Sequence, residues 1–400
     1  MKRGPQPPAS GLLFTVILGL LLGAQPIATD LYLPALPAIA RELGSASSSL
    51  TLFMLAFGVG QLVCGPLADR LGRRPVLLGG LTLFAVSAVG AAVSPTVAPL
   101  VACRAVQGLS MAAILVCARA AVRDLYAAQE GPRMMAKGLS GVGVVAFLAP
   151  VLGALVVQWW HWRWALVCMA AYAGAVLVIC WLKLPETRPL AHVQTPGGAR
   201  DVLVSRSFWA WTSLATSTYG GLFCFLLLSP AIYVEYMGLS PFAYGFIPAS
   251  GSLVYIIGTT WCRHLLTRHG AVRAVQRGAL LSLSGALIQL AAGVWTPHSI
   301  WLLLFGHWVF ALGHGIHQPC GQAGSVGEFP HLAGRAVAYS GFVMMAAAFL
   351  VGQTVVRFMD ADHTHGAWPL IVPMVVSACS LMVIAFVWLP RIALVGVRRR

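Results

Sequence analysis

Gly65-Pro66-Leu67-Ala68-Asp69-Arg70-Leu71-Gly72-Arg73-Arg74-Pro75 is the stretch on which the fold turns. It sets one acid and three arginines between two apolar runs, Leu50 to Leu67 and Pro75 to Val93. Each run is close to the 20 or so residues that carry a helix across hydrocarbon. Working outward, the same alternation recurs. Towards the N-terminus lies Gly11 to Ile39. Towards the C-terminus lie Ala98 to Ala118, Gly138 to Gln158, Trp164 to Leu182, Trp209 to Val234, Ala243 to Trp261, Ala279 to Val294, Trp301 to Gly321, Ala336 to Val356 and Trp368 to Leu389. Twelve spans result, and the chain reads as an all-α polytopic membrane protein.

Composition agrees. Of 400 residues, 58% are hydrophobic and 9% are charged, against roughly 25% charged in soluble domains. The apolar surplus has to face lipid. Disordered, collagen-like and soluble nucleic-acid-binding classes are excluded, and the length leaves no room for a soluble domain. The net charge of +15 is a topology signal: with the N-terminus inside, all but four of the 26 Lys and Arg fall in inner loops or tails. The exceptions are the outer Arg41, Arg163 and Arg357 and the intramembrane Arg104. The positive-inside rule therefore predicts both termini in the cytoplasm, with attraction to anionic membrane lipid and no nucleic-acid partner. Met1-Lys2-Arg3 and the run behind it read as an uncleaved anchor, not a signal peptide. The nine Cys lie in or at the ends of spans, with no C-x-x-C pair or zinc spacing, and read as core residues. No metal or cofactor is expected.

The longest inner loop, Lys183 to Ser207, carries Pro185-Glu186-Thr187-Arg188-Pro189 and Pro196-Gly197-Gly198. It divides the chain into a six-helix half over 1–182, a cytoplasmic linker over 183–207 and a second six-helix half over 208–400. Such halves are expected to pack around a central axis, with a substrate site near the midplane and one half rocking against the other. The inner loops Asp69 to Arg74 and Arg263 to Arg277 occupy equivalent places, yet their sequences match poorly.

The Gly65–Pro75 stretch resembles the G-x-L-a-D-r-x-G-r-r/k loop of the major facilitator superfamily. In it Gly65 is expected to permit close helix approach and Asp69 to sit at a helix N-terminus. Arg70, Arg73 and Arg74 would bind lipid phosphates or carboxylates around the turn at Gly72. Arg104-Ala105-Val106-Gln107-Gly108 is similar to that superfamily's R-x-x-q-G motif. Together with Ala118 to Tyr126, Thr29-Asp30-Leu31-Tyr32-Leu33-Pro34-Ala35-Leu36-Pro37 and Phe329 to Ala336, it resembles the bicyclomycin/chloramphenicol resistance branch of proton-coupled drug exporters. The exporter signature near span 5 keeps Pro150 and Gly153 but has Ala149 where the pattern has Gly. The resemblance implies a bacterial inner-membrane antiporter, monomeric, exchanging a small-molecule substrate for a proton.

An ionised side chain in hydrocarbon costs several kcal/mol, so those within spans are functional candidates. By helix rise, Asp30 lies about 28 Å along span 1 and Arg104 about 9 Å below the outer surface. The depths are compatible with one cavity, without contact. Asp30 suits a proton carrier, or else a helix cap beside Pro34. Arg104 cannot release a proton; it would donate hydrogen bonds and tune Asp30 by its charge, or else pair helices through Gln107 and Gly108. Cavity candidates are Gln25, where Pro26 costs span 1 a hydrogen bond, Tyr32, Gln107, Tyr219 and Phe223. Tyr and Trp near span ends are equally interfacial anchors. His307, His314 and His317 fall within about 80° of one another on a helix, with Gln318 adjacent. This stripe either lines the pathway or is packing by satisfied histidines.

The chain lacks H-E-x-x-H and G-x-S-x-G, which speaks against an enzyme, and lacks an ATP-binding loop. No charge rings or filter loops suggest a channel. The reading is a proton-coupled exporter of small, neutral, partly aromatic drugs such as phenicols or bicyclomycin; a proton-coupled carrier of a nutrient such as a purine is the alternative.

Overall fold

In lipid a backbone without water can satisfy its own polar groups locally only as a helix. The computed structural model describes residues 11–44, 46–126, 130–188, 198–329, 332–360 and 366–392, and every regular element among them is helical. Met1-Lys2-Arg3, Pro189, Pro196, Gly197, Pro330, His331 and the terminal Arg398 to Arg400 lie outside the described residues. The elements are α1 (Gly11–Thr29), a 3-10 turn (Leu33–Ala35), α2 (Leu36–Leu43), α3 (Ser47–Leu71), α4 (Arg73–Ala92), α5 (Val97–Leu125), α6 (Gly131–Trp159) and α7 (Trp162–Lys183). They continue with α8 (Ala199–Leu203), α9 (Arg206–Pro230), α10 (Pro241–Trp295), α11 (Ile300–Gly327), α12 (Ala333–Asp360) and α13 (Trp368–Val383). A π turn prolongs α9 over Ala231–Tyr236 and another prolongs α13 over Ile384–Trp388.

Among the described residues, 11 helical stretches are long and apolar enough to span a bilayer. The 55-residue α10 is two spans in one, because Gly270 stands at φ 76°, ψ 171° and breaks it into arms over 241–269 and 271–295. The expected twelve spans follow. Two of the loops expected on the inner side are shorter than the sequence suggests. Asp69 and Arg70 belong to the last turn of α3, Arg73 opens α4, and Gly72 at φ 107° is the whole connection. Arg263 to Arg277 is likewise helical on both sides of Gly270. Each joint is one residue in backbone space that a side chain disfavours, so the two halves share a device that their sequences hide.

Two compact units comprise Met1–Gln194 and Thr195–Arg400. In the first, α3 and α4 pack on α5, α4 on α7, and α1 on α6. In the second, α10 packs on α11, and α9 on α11, α12 and α13. The short α8 is tied in by Val202, which joins Phe208, Phe329, Leu332 and Ala336 in a small core. Large apolar side chains such as Leu12, Val86, Leu139, Leu182 and Leu350 stay exposed, as a lipid-facing surface requires. Trp159, Trp160, Trp295 and Trp301 are exposed at helix ends, where indole rings anchor at the membrane interface.

Candidate functional site

Helix α1 runs through Pro26 and ends at Thr29, so the opening expected at Gln25-Pro26 falls a turn later. Pro34 and Pro37 have no N–H to offer the carbonyls four residues back, so two bonds of the helical ladder are missing just after α1 stops. Tyr32 N–H turns back to the Thr29 carbonyl at 3.2 Å, and Asp30 N–H to the Pro26 carbonyl at 2.7 Å. The Ala28 carbonyl, which Tyr32 N–H would take in a continuing helix, accepts instead from Arg104 Nη2 at 2.8 Å. Arg104, on α5, is fully buried. Its Nη1 donates to Gln107 Oε1 at 2.6 Å, and its guanidinium lies 4.3 Å from the Tyr32 ring centroid and 4.6 Å from that of Phe53. Ser49 gives its hydrogen to the Ala46 carbonyl, so Tyr32 O–H donates to Ser49 Oγ at 2.9 Å. Tyr32 and Gln107 are therefore holders of Arg104. Opposite, a Cβ on Gly153 of α6 would collide with the Leu31 carbonyl, so α6 lies directly against the break. Pro150 and Ala149 are buried in the preceding turn.

Asp30 stands on the turn after α1, half-buried. Its Oδ1 lies 2.8 Å from Thr29 Oγ1, which is also 3.0 Å from the Gln25 carbonyl. One hydroxyl hydrogen faces two acceptors: it can serve an ionised Asp30, or serve Gln25 while its oxygen accepts from a protonated Asp30. Among the described residues no ion pair joins Asp30 to Arg104. Gln25 is half-buried on α1, and Leu22 is buried against Gly138 of α6.

At the Gly72 joint, Arg73 is buried and bridges Asp69, at 2.5 Å, and Asp124, at 3.0 Å. Glu186, just beyond α7, accepts from the backbone N–H groups of Arg73 and Arg74 at 2.9 and 3.1 Å and so caps α4. Burial raises the Glu186 carboxyl, but N–H bonds from Arg188, Arg73, Arg74 and Thr187 outweigh it and hold it below its ordinary value. Arg188 Nη1 donates to the Arg70 carbonyl at 2.6 Å, closing the end of α3. Two expectations need correcting. Asp69 lies at a helix C-terminus, where Arg73 offsets the unfavourable dipole, and Glu186 holds the N-terminal place. Gly65 makes no close approach, since a Cβ there would meet nothing within 4 Å.

In the second unit the helix α11 stripe divides. His307 stacks on Phe225 of α9, with ring centroids 3.3 Å apart. His314 Nδ1 lies 2.9 Å from Thr218 Oγ1, and its ring is 5.3 Å from that of Tyr255. His317 Nε2–H donates to the Val275 carbonyl at 3.2 Å, on the second arm of α10. Gln318 Nε2 donates to Met344 Sδ at 3.3 Å. All four are buried, as are Tyr219 and Phe223, which stack on each other at 6.4 Å along α9.

The family described as Major Facilitator Superfamily matches residues 18–352. The chain belongs to this superfamily. It is 27% identical over 354 residues to a chloramphenicol resistance protein of Pseudomonas aeruginosa, covering 86% of this chain and 83% of the relative. It is 26% identical over 366 residues to a bicyclomycin resistance protein homolog of Haemophilus influenzae, covering 86% and 89%. Among solved structures it matches, with a TM-score of 0.72 and 15% identity over 94% of each chain, a bacterial homolog of the human lysosomal transporter Spinster in an inward-facing and occupied conformation; that likeness concerns the fold. The drug-exporter branch named by the motifs is where the two curated relatives lie. As a major facilitator protein the chain is a multi-pass inner-membrane transporter, not an enzyme.

Three residues of this major facilitator chain escaped the sequence reading. Asp124 and Glu186 bind the Gly72 joint, and Glu42 in the last turn of α2 accepts from Trp162 Nε1 at 2.6 Å and Arg163 Nη1 at 2.5 Å. The signal was available for the first two: carboxylates among predominantly basic connecting segments are natural counter-charges.

Proposed function

We propose that the chain is a proton-coupled antiporter that exports small, neutral, partly aromatic antibiotics, such as phenicols or bicyclomycin, by alternating access. The observation that carries the coupling is Asp30: a carboxyl within a span, beside a helix break, next to a hydroxyl suited to either protonation state. Arg104 fixes the broken backbone from the other side, so that the segment keeps its shape while Asp30 gains and loses its proton. The Gly72 joint, with Asp69, Arg70 and Arg73, belongs to the inner gate. The basic inner segments favour cytoplasmic termini, and a monomer surrounded by lipid suffices, with no cofactor. The names of the two relatives support the substrate class.

The test is transport in inverted membrane vesicles under an imposed pH gradient, with labelled chloramphenicol. Asp30→Asn, similar in shape but without the acid, is expected to abolish gradient-driven accumulation while inserting at the level of the unmodified protein and retaining substrate counterflow. Undiminished gradient-driven accumulation by that variant would remove Asp30 from the coupling.

A further inference from the structure

The second unit holds a pair of thiols to which the proposed transport cycle gives no part. Cys262, on the first arm of α10, and Cys320, on α11, place their sulfurs 3.6 Å apart, both side chains buried. The approach follows from the helix crossing about a turn earlier. A Cβ on Gly315 would stand 2.8 Å from the Gly258 Cα, and a Cβ on Gly258 would stand 3.1 Å from the Gly315 Cα, so the two backbones run in contact there. Cys262 comes four residues after Gly258 and Cys320 five after Gly315. The thiols inherit the close crossing, and Cys262 Sγ also lies 3.7 Å from the Ile316 carbonyl. All nine cysteines are free thiols, and among the described residues no cluster of three or more His, Cys, Asp or Glu could claim this pair for a metal.

We propose that Cys262 and Cys320 form a redox-responsive dithiol, which a small uncharged peroxide converts into a disulfide stapling α10 to α11. Hydrogen peroxide transfers one oxygen to one sulfur: its O–O bond breaks, an S–O bond forms to give a sulfenic acid, and the other oxygen leaves as water. The second thiol attacks that sulfur; the S–S bond forms, the S–O bond breaks and a second water departs. The peroxide thus takes up the two electrons and two hydrogens that the pair gives up. The sulfurs must close from 3.6 Å to about 2.05 Å. An uncharged oxidant can enter an apolar interior that excludes ions, and a reducing cytoplasm favours return to the dithiol. The cross-link joins neighbouring helices of one unit.

The test uses the whole protein in native membranes, exposed to hydrogen peroxide, quenched, denatured, alkylated and digested for mass spectrometry. The expected product is a linked peptide joining Cys262 to Cys320, lighter by two hydrogens than the two thiol peptides and split by dithiothreitol. In Cys320→Ala the linked peptide is absent, and Cys262 is recovered as a free thiol or as a dimedone-trapped sulfenic acid. The unmodified protein alone can overturn the idea: if both cysteines remain alkylated at a dose that oxidises the exposed Cys379, or if each advances separately to a sulfinic acid, they do not act as a pair.

Discussion

A guanidinium over an aromatic face gains up to about 2 kcal/mol when water is excluded, and a hydrogen bond to a charged group about 1.5–3. Arg104 has two such faces and, through separate nitrogens, the Gln107 amide and the Ala28 carbonyl. These offset the cost of burying a cation without a carboxylate partner. Lysine carries the same charge on a single nitrogen and cannot reproduce a planar fork between two rings. Arg104→Lys is therefore expected to lower stability by about 2–4 kcal/mol, read as a lower melting temperature of the purified protein in detergent. A variant as stable as the parent would mean that the break in α1 does not depend on the fork. The sequence showed that Arg104 stands apart in an apolar span. It did not show its partner, because a backbone carbonyl is freed by helix geometry and has no letter of its own.

The joint between α3 and α4 tests the same logic at the level of elements. Gly72 adopts φ 107°, and a Cβ there would stand 2.5 Å from Glu186 Oε2. Gly72→Ala thus combines a disfavoured backbone with displacement of the α4 cap, at a cost of about 1–3 kcal/mol. Gly65, seven residues earlier in the same motif, lies in α3 with nothing within 4 Å of its absent side chain. Gly65→Ala is expected to be neutral or slightly stabilising through helix propensity. Melting temperatures of the two variants, with drug export measured beside them, separate the cases; equal losses would refute the difference. Both glycines belong to one motif, which told that they mattered together but not which was constrained. The twelve spans were legible because hydrocarbon imposes length and composition on every helix. The break after α1 was half legible: Pro34 and Pro37 mark where hydrogen bonds are lost, but the partner that takes the freed Ala28 carbonyl, Arg104, arrives from α5. Likewise the α11 histidines share one helical face in sequence, but Phe225, Thr218 and Val275 are supplied by other helices.

For the whole molecule, low charge content narrows the proposed substrate as much as it fixes the fold. A permanent cation passing through the membrane interior must replace its hydration with negative groups. At the break after α1 the acid on offer is the half-buried Asp30, and in the proposed cycle the proton requires it too. Arg104 adds a fixed positive charge to the same unit. Two turns before Asp30 the chain has Leu22, buried against α6, so no second carboxylate stands on that stretch of α1. A neutral aromatic drug avoids the desolvation cost while gaining from apolar burial. Expression in a host stripped of its own exporters is therefore expected to raise the inhibitory concentration of a phenicol more than that of an ethidium-like dye. Strong dye resistance without phenicol resistance would overturn the substrate class while leaving the fold and the superfamily untouched, because those rest on the spans and the sequence match and not on the charge near Asp30.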